Sequence, residues 1–507
     1  MVNIYQTAAF HAQRRPDAAA LDDGERRLGF GGLTDLARRQ ADRLEALGAG
    51  RGERVAVVAN GSIDYVALYH ATALTGFILV PLNTRLTPTE LAWALGHADP
   101  RVVLHDDANA ALVEAARALD TGGREWLTVA ALSKEAGPQD EETDDALRRR
   151  FGAVEADTPA LIVYTSGTTS LPKGAVLTHG NLVWNAVNYQ VELGIGEETS
   201  ALLATPLFHI GGFGVLNGPV LYGGGSLRVV PRFETEAVLR AIGEAQPTHL
   251  FLLSAMWVTL TDRPGFAELR FPSVRYVQTA ASPLSEQRQA AIRRVFPNAE
   301  FGWGFGMTES CVTTIKNRFT AEILAHPGSV GHVWRHVAYR LADEEGRILP
   351  DLTGPGELQV KAPTVFAGYW NDPEATAAAL SADGWLRTGD LFRFDPDGFA
   401  HFIGRSKDMV KTGGENVAAL EVENCLVQHP AVSEAAVFGV PHERWGEELR
   451  AAVVAAPGKT PDPEELRAFC RARLAGFKVP KAIAVVAGLP RSSSGKVQKF
   501  KLTEARP

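Results

Sequence analysis

The sequence predicts an α/β protein whose main body is a doubly wound parallel sheet, followed by a smaller domain. Three observations carry the prediction. Short apolar runs rich in β-branched residues recur as far as Leu253, and helix-length segments opened by capping hydroxyls stand between them. At 507 residues the chain also outgrows a single hydrophobic core, so at least two domains are expected.

In chain order, residues 54–59 (RVAVVA) read as a buried strand, and 62–74 as a helix with Ser62 at its N-cap. Residues 77–80 are a second strand, 89–95 a helix opened by Thr89, and 102–104 a third strand. Strands alternating with helices imply parallel pairing. The charged stretch 120–150 reads as a surface excursion, after which 161–164, 201–205, 226–230 and 249–253 resume the strands. Beyond Gly354 the texture changes. Residues 356–360 and 399–403 look like strands of an antiparallel or barrel-like element, with the turn signal Asp395-Pro396-Asp397-Gly398 before the second. The last hundred or so residues read helix (418–428), strand (434–439), strand (450–455) and helix (462–474), ending in a lysine-rich tail. A domain boundary is expected near 404–408.

Composition narrows the function. Hydrophobic residues at 45% and charged residues at 22% exclude a disordered chain. Three scattered cysteines (Cys311, Cys425, Cys470) suit neither a disulfide framework nor a zinc site and indicate a reducing compartment. The opening residues lack a basic head followed by an apolar core, and no apolar run approaches the ~20 residues that cross a bilayer. A cytoplasmic protein without a transmembrane segment is expected. The net charge of −8 argues against nucleic acid as a partner. Residues 403–507 nonetheless carry a balance of +4 against −12 for the rest. That fits a cap closing over polyphosphate, although a solvated surface would read the same way.

The most informative stretch is YTSGTTSLPKG at 164–174. Hydroxyls and free backbone N–H groups on a Gly/Ser/Thr loop cradle phosphate oxygens, and Lys173 adds a point charge. The spacing is not that of a Walker loop, since Pro172 and Gly174 flank the lysine. A polar surface connection is the competing reading of this run taken alone. GWGFGMTE at 302–309 supplies glycines for close approach of a planar group, Phe305 to stack on it, Thr308 for a phosphate oxygen and Glu309 as a hard ligand for Mg²⁺. WLRTGD at 385–390 ends in Asp390 on an expected tight turn, able to accept two ribose hydroxyls. GRSKD at 404–408, KTGGEN at 411–416 and the Ser/Gly loop before Lys496 are each weak signals.

Taken together and in this order, these motifs resemble the adenylate-forming superfamily of the acyl- and aryl-CoA synthetase type, from near Tyr5 to Lys499. The resemblance implies a large N-terminal domain (1–403) of doubly wound mixed sheets with a β-barrel-like element, a hinge (404–408), and a small mobile α+β C-terminal domain (409–507). It implies ATP, Mg²⁺ and coenzyme A as cofactors and co-substrates. Thr165, Ser166, Gly167, Thr168 and Thr169 match the loop that holds the β- and γ-phosphates, closed by Lys173. Phe305, where tyrosine is more usual, matches the ring stacked on adenine, and Gly306 lies beside it. Ala281 and Ser282 fall in the turn that meets adenine. Thr308 matches the α-phosphate contact, Glu309 the metal ligand, and Asp390 and Arg405 the ribose contacts.

Lys496 matches the lysine bridging carboxylate and α-phosphate, whose loss typically costs at least ~10²–10³ in rate. Lys407 matches the hinge. Lys411, Gly413, Gly414 and Glu415 match the loop that enters the cleft for thiol transfer, and His209 an aromatic position between acyl pocket and thiol entrance. Ser170 stands where the family has glycine, which restricts the loop without removing a catalytic group. Phe208, Phe213, Met256, Trp257, Ala280, Trp303 and Gly304 are candidate pocket walls. They are apolar, with no arginine to clamp a second carboxylate. A monocarboxylic aromatic, or short to medium aliphatic, acid is therefore expected. The implied reaction is ATP-dependent ligation of that acid to CoA, in a monomer or homodimer. The alternative is a stand-alone adenylating enzyme that loads a carrier protein or another nucleophile; a catalytically silent binding relative is disfavoured by the retained Lys496, Glu309 and Asp390.

Overall fold

The computed structural model describes residues 3–134, 152–165, 171–280, 284–317, 319–412, 415–491 and 497–504. The chain divides into two units, each considered by itself. One comprises Met1–Thr165, Pro172–Ala338 and Lys361–Leu386; the other includes Tyr339–Val360 and Arg387–Pro507.

The first unit holds two mixed sheets. In the smaller, the strands run in the order Gly368–Tyr369, Lys173–Thr178, Pro159–Thr165, Ile78–Pro81, Arg54–Val58, Val102–His105 and Glu125–Thr128. The five from Pro159–Thr165 onward are parallel neighbours, and the first two pair antiparallel. These parallel strands are buried on both faces, which is why they read as unbroken apolar runs and not as alternation. Ala56, Val58, Val80, Val103 and Ile162 share one core with Leu91 and Leu95 of the helix Pro88–Ala98. Each of these valine, leucine and isoleucine side chains contributes ~1.5–3 kcal/mol through burial.

Local chemistry explains the helices. Ser62 caps Ile63–Thr75, and Gly76 ends it in the left-handed conformation. The helix expected to open at Thr89 begins at Pro88 instead, because Thr87 and Glu90 form a reciprocal capping box around that proline. The stretch beyond Asp120 is not all surface excursion: Glu125–Thr128 completes the sheet edge and Val129–Ser133 is helical.

The larger sheet of this unit orders Ser329–Val333, Ile315–Lys316, Glu300–Phe305, Tyr276–Ala280, His249–Leu253, Ser200–Leu203, Ser226–Val229, Ala19–Asp22 and Arg27–Gly29. The strands from Glu300–Phe305 to Ala19–Asp22 are parallel. Its apolar face packs around Trp257, Phe296 and Phe301.

In the second unit Leu386–Phe394 and Ala400–Arg405 form the expected antiparallel pair, with Gly398 at φ 83° in the turn between them. Ala338–Ala342 and Gly356–Lys361 extend that set. A five-stranded sheet follows, in which Val432–His442 pairs with Gly446–Ala455, and Ala482–Val486 joins the latter in parallel. The helices Ala419–Leu426 and Pro463–Arg471 bury Val422, Leu426, Leu466 and Cys470 against it. No helix among the described residues is long and apolar enough to cross a membrane.

Candidate active site

The motif expected to bind phosphate runs between two paired strands. Pro159–Thr165 and Lys173–Thr178 pair antiparallel, with Thr165 opposite Lys173 and Tyr164 opposite Gly174. Ser166, Gly167, Thr168 and Thr169, with Ser170, lie outside the described residues. The hairpin base is braced. Tyr164 Oη sits 2.8 Å from His97 Nδ1, and Trp93 stacks on that imidazole at 5.2 Å between ring centroids. Gly174 is required for close approach, since a Cβ there would lie 2.7 Å from Ile162 Cγ2.

Lys173 Nζ stands 5.3 Å from the centroid of the Tyr369 ring, an attraction of cation to aromatic face. The hydroxyl of the same tyrosine donates to Glu309 Oε1 at 2.7 Å. Burial, and then the Glu309 charge, push the Tyr369 hydroxyl above its ordinary range, so it stays protonated and acts as the donor. The Glu309 carbonyl accepts from Phe366 N at 2.9 Å, fixing its backbone. The residue is only 6% exposed. Its carboxylate fits Mg²⁺ as an oxygen donor, and Oε2 has no protein hydrogen bond among the described residues.

The run 302–309 takes in the end of a strand, Glu300–Phe305, followed by a 3₁₀ turn at Thr308–Ser310. Gly302 and Gly304 share one face of this strand and Trp303 the other, by the two-residue period. Gly306 follows where a Cβ would run into the Val312 carbonyl. Just past the 3₁₀ turn, Cys311 and Val312 both have positive φ, 53° and 90°. Such a conformation in a β-branched residue costs about 1–3 kcal/mol and clusters at functional sites.

Among the proposed pocket walls, Met256, Trp257 and Trp303 are brought together in one apolar cluster, Trp257 lying edge-on to Phe296 at 5.8 Å. Phe213 sits elsewhere, on the π-helical turn Gly212–Asn217, against Tyr69 at 5.2 Å. His209 is half-buried beside Phe208, ring centroids 4.7 Å apart. The Ala280 carbonyl accepts from Ser254 Oγ at 3.0 Å; Ala281 and Ser282 lie outside the described residues.

In the second unit Asp390 is on a strand, not on the tight turn expected for it. Gly389 at φ 69° bends that strand, and its N–H donates to Glu357 Oε1 at 2.9 Å. Asp390 is register partner to Arg405, whose Nε lies 3.3 Å from Asp390 Oδ1. The carboxylate is buried and the guanidinium half-exposed. Lys407 occupies the 3₁₀ turn Ser406–Asp408, where burial and then Arg405 push its ammonium below the ordinary range. The segment expected at the thiol entrance pairs antiparallel at this point, Lys411 opposite Asn416 and Thr412 opposite Glu415. Lys411 N donates to Glu447 Oε2 at 2.6 Å, and its ammonium pairs with Glu344 at 3.1 Å. Gly413, Gly414 and Lys496 lie outside the described residues.

Tyr369 is the residue that motif reading missed. It belongs to none of the quoted motifs and reaches Glu309 only through the pairing of Gly368–Tyr369 with Lys173–Thr178.

The family model for AMP-binding enzymes matches residues 9–370, and that for the AMP-binding enzyme C-terminal domain matches 421–496. Feruloyl-CoA synthase from Amycolatopsis sp is 37% identical over 490 residues, covering 96% of each chain. Indoleacetate–CoA ligase from Aromatoleum aromaticum is 33% identical over 500 residues, covering 96% of this chain and 95% of that one. The structure of o-succinylbenzoate CoA synthetase from Bacillus subtilis with ATP and magnesium superposes with a TM-score of 0.86 at 28% identity, covering 99% of both chains.

Proposed function

This chain belongs to the family of AMP-binding enzymes, and we propose that it is an AMP-forming acid–CoA ligase acting on an aromatic monocarboxylic acid. The carboxylate oxygen bonds to the α-phosphorus of ATP, and pyrophosphate leaves. The CoA thiol, losing its proton, then bonds to the acyl carbon, and AMP leaves with the electron pair of the acyl–oxygen bond.

One observation carries the reading: a single tyrosine ring, Tyr369, has Lys173 against its face and Glu309 on its hydroxyl. The ammonium that closes the phosphate hairpin and the carboxylate suited to a metal are thereby held in fixed relation. Attack of one anion on another is slow unless positive charge is preorganised where negative charge builds up. Bound Mg²⁺, held by Glu309, supplies part of that charge. Lys173 and the Thr165 hydroxyl orient the β- and γ-phosphates, and Thr308 donates at the α-phosphate. Lys496 bridges carboxylate and α-phosphate in the first half-reaction. Asp390, paired with Arg405, accepts from ribose hydroxyls. Residues 409–507 form the mobile domain, with its hinge at Lys407, and His209 stands where acyl pocket meets thiol entrance.

Coenzyme A is preferred to a carrier-protein thiol as acceptor because the whole-length relatives are CoA ligases. Two of them are named for aromatic acids, feruloyl and indoleacetate, which supports the aromatic choice. The test is a panel of aromatic and aliphatic acids scored by AMP release with ATP and Mg²⁺. Release that depends on CoA and is fastest for aromatic acids is expected. Release that needs a purified carrier protein instead of CoA would replace this reading.

A further inference from the structure

The ribose contact assigned to Asp390 depends on a backbone that its own residues leave loose. Gly389 stands at φ 69° inside the strand Leu386–Phe394. A Cβ built there would meet nothing within 4 Å, so the glycine serves a conformation and not a close approach. Glycine reaches positive and negative φ about equally well. Nothing in the residue itself selects the one backbone conformation that places Asp390 beside Arg405.

The selection comes from the neighbouring strand, Gly356–Lys361. The Gly389 N–H donates to Glu357 Oε1 at 2.9 Å. The Thr388 hydroxyl donates to the Leu358 carbonyl at 2.7 Å, and its oxygen accepts from Asp390 N at 3.1 Å. Glu357 and Leu358, adjacent on one strand, thereby fasten Thr388, Gly389 and Asp390 on the other. The two attachments are unequal. A carboxylate accepting from an N–H makes a charge-assisted bond, roughly twice as strong as the neutral bond between hydroxyl and carbonyl.

Arg405 does not fix the direction of Asp390 in the same way. Its side chain is 39% exposed against 4% for the aspartate, so the guanidinium is free to follow the carboxylate wherever the backbone sets it. Were the Gly389 N–H released, the peptide before it could rotate at little steric cost, and Asp390 would turn with it.

We propose that Glu357 is a positioning residue for the nucleotide: it fixes the peptide between Thr388 and Gly389 and so holds Asp390 in line with the ribose hydroxyls. The inference rests on the acid–CoA ligase reading above and deepens it, since it makes recognition of an intact ribose depend on a residue that touches no ligand.

The test is a calorimetric titration of the full chain with ATP and with 2′,3′-dideoxy-ATP, each with Mg²⁺. The wild type is expected to bind ATP ~10–100-fold more tightly, the scale of hydrogen bonds to a charged acceptor. Glu357→Met is expected to bring the ratio to within ~3-fold of unity. Glu357→Gln keeps an acceptor oxygen and is expected to stay within ~3-fold of the wild-type ratio. In an Asp390→Ala background, Glu357→Met should change the ratio no further, because the two act as one unit. A ratio of two dissociation constants does not depend on how much of a preparation is folded, which a merely structural role would alter. Should Glu357→Met be insoluble, Thr388→Val, which keeps the shape and loses the hydroxyl, is expected to lower the same ratio. A wild-type ratio unchanged in Glu357→Met, a loss in Glu357→Gln equal to that in Glu357→Met, or a further fall in the Asp390→Ala background overturns the inference while leaving the ligase reading intact. A wild-type ratio near one removes the ribose role of Asp390 and the inference with it. Absence of any ATP binding overturns the ligase reading as well.

Discussion

The Tyr369 hydroxyl donates to Glu309 Oε1 at 2.7 Å, joining residues 60 positions apart. The bond holds one carboxylate oxygen and leaves the other directed elsewhere. In Tyr369→Phe the ring under Lys173 survives, but the carboxylate loses a charge-assisted partner worth about 1.5–3 kcal/mol. The expected outcome is a ~10-fold or greater rise in the Mg²⁺ concentration that half-saturates ATP–pyrophosphate exchange. An unchanged Mg²⁺ titration would exclude Tyr369 as the residue that orients Glu309.

Gly306→Ala tests the close approach beside the 3₁₀ turn Thr308–Ser310. The added methyl meets the Val312 carbonyl, on a residue already held at φ 90°. Backbone cannot yield as a side-chain tip does, so a loss of about 1–3 kcal/mol is expected. Thermal melting followed by circular dichroism reads it, and a melting point equal to wild type would contradict the geometry.

Asp390→Ala removes the buried member of the pair with Arg405. Ribose loses an anionic acceptor, and KM for ATP is expected to rise by ~10–100-fold, the scale of one charged hydrogen bond. The half-exposed Arg405 can turn to water, so little global destabilisation follows. A nucleotide-binding titration separates the two effects, and unchanged affinity would remove Asp390 from the ribose site.

Two histidines, His179 buried and His249 half-buried, predict an acid limit to stability. Burial pushes the ring of His179 down to about 3. Burial, then Lys316 and Arg275, push that of His249 down to about 4. Both folded values lie below the ordinary 6.5, so the unfolded chain takes up protons first as pH falls. The stability they contribute is whole above about pH 6.5 and is lost progressively toward pH 4 and 3. At pH 5 each histidine subtracts about 2 kcal/mol. His179→Gln should flatten the fall in melting temperature between pH 7 and pH 5; a slope identical to wild type would show that His179 is not involved.

Lys496→Ala separates the two half-reactions. Adenylation is expected to fall by at least ~10²–10³, while thioester formation from supplied acyl-adenylate and CoA continues. Equal loss of both halves would contradict the role proposed for this lysine.

Much of the frame was legible along the chain because its signals are local. Apolar runs marked the parallel strands, Ser62 marked a helix start, and Asp395-Pro396-Asp397-Gly398 marked a hairpin. Where two local signals compete, neighbours decide. Thr87, Pro88 and Glu90 together outweigh Thr89 as a helix start. The glycines at 302 and 306 have a physical reason that the sequence does not display. Glycine is weak in strands, yet here bare backbone is what adjoining groups need, the Tyr276 hydroxyl against Gly302 and the Val312 carbonyl against Gly306.

The order of motifs was thus enough for the family, and with it the reaction class, because short segments keep their composition and their order along the chain however the chain folds. It could not reveal that Tyr369 reaches Glu309, or that Glu357 reaches Gly389. A tyrosine and a glutamate read in isolation are solvated side chains. Strand pairing across dozens of residues desolvates them and gives each a partner, and that partner sets what the side chain does.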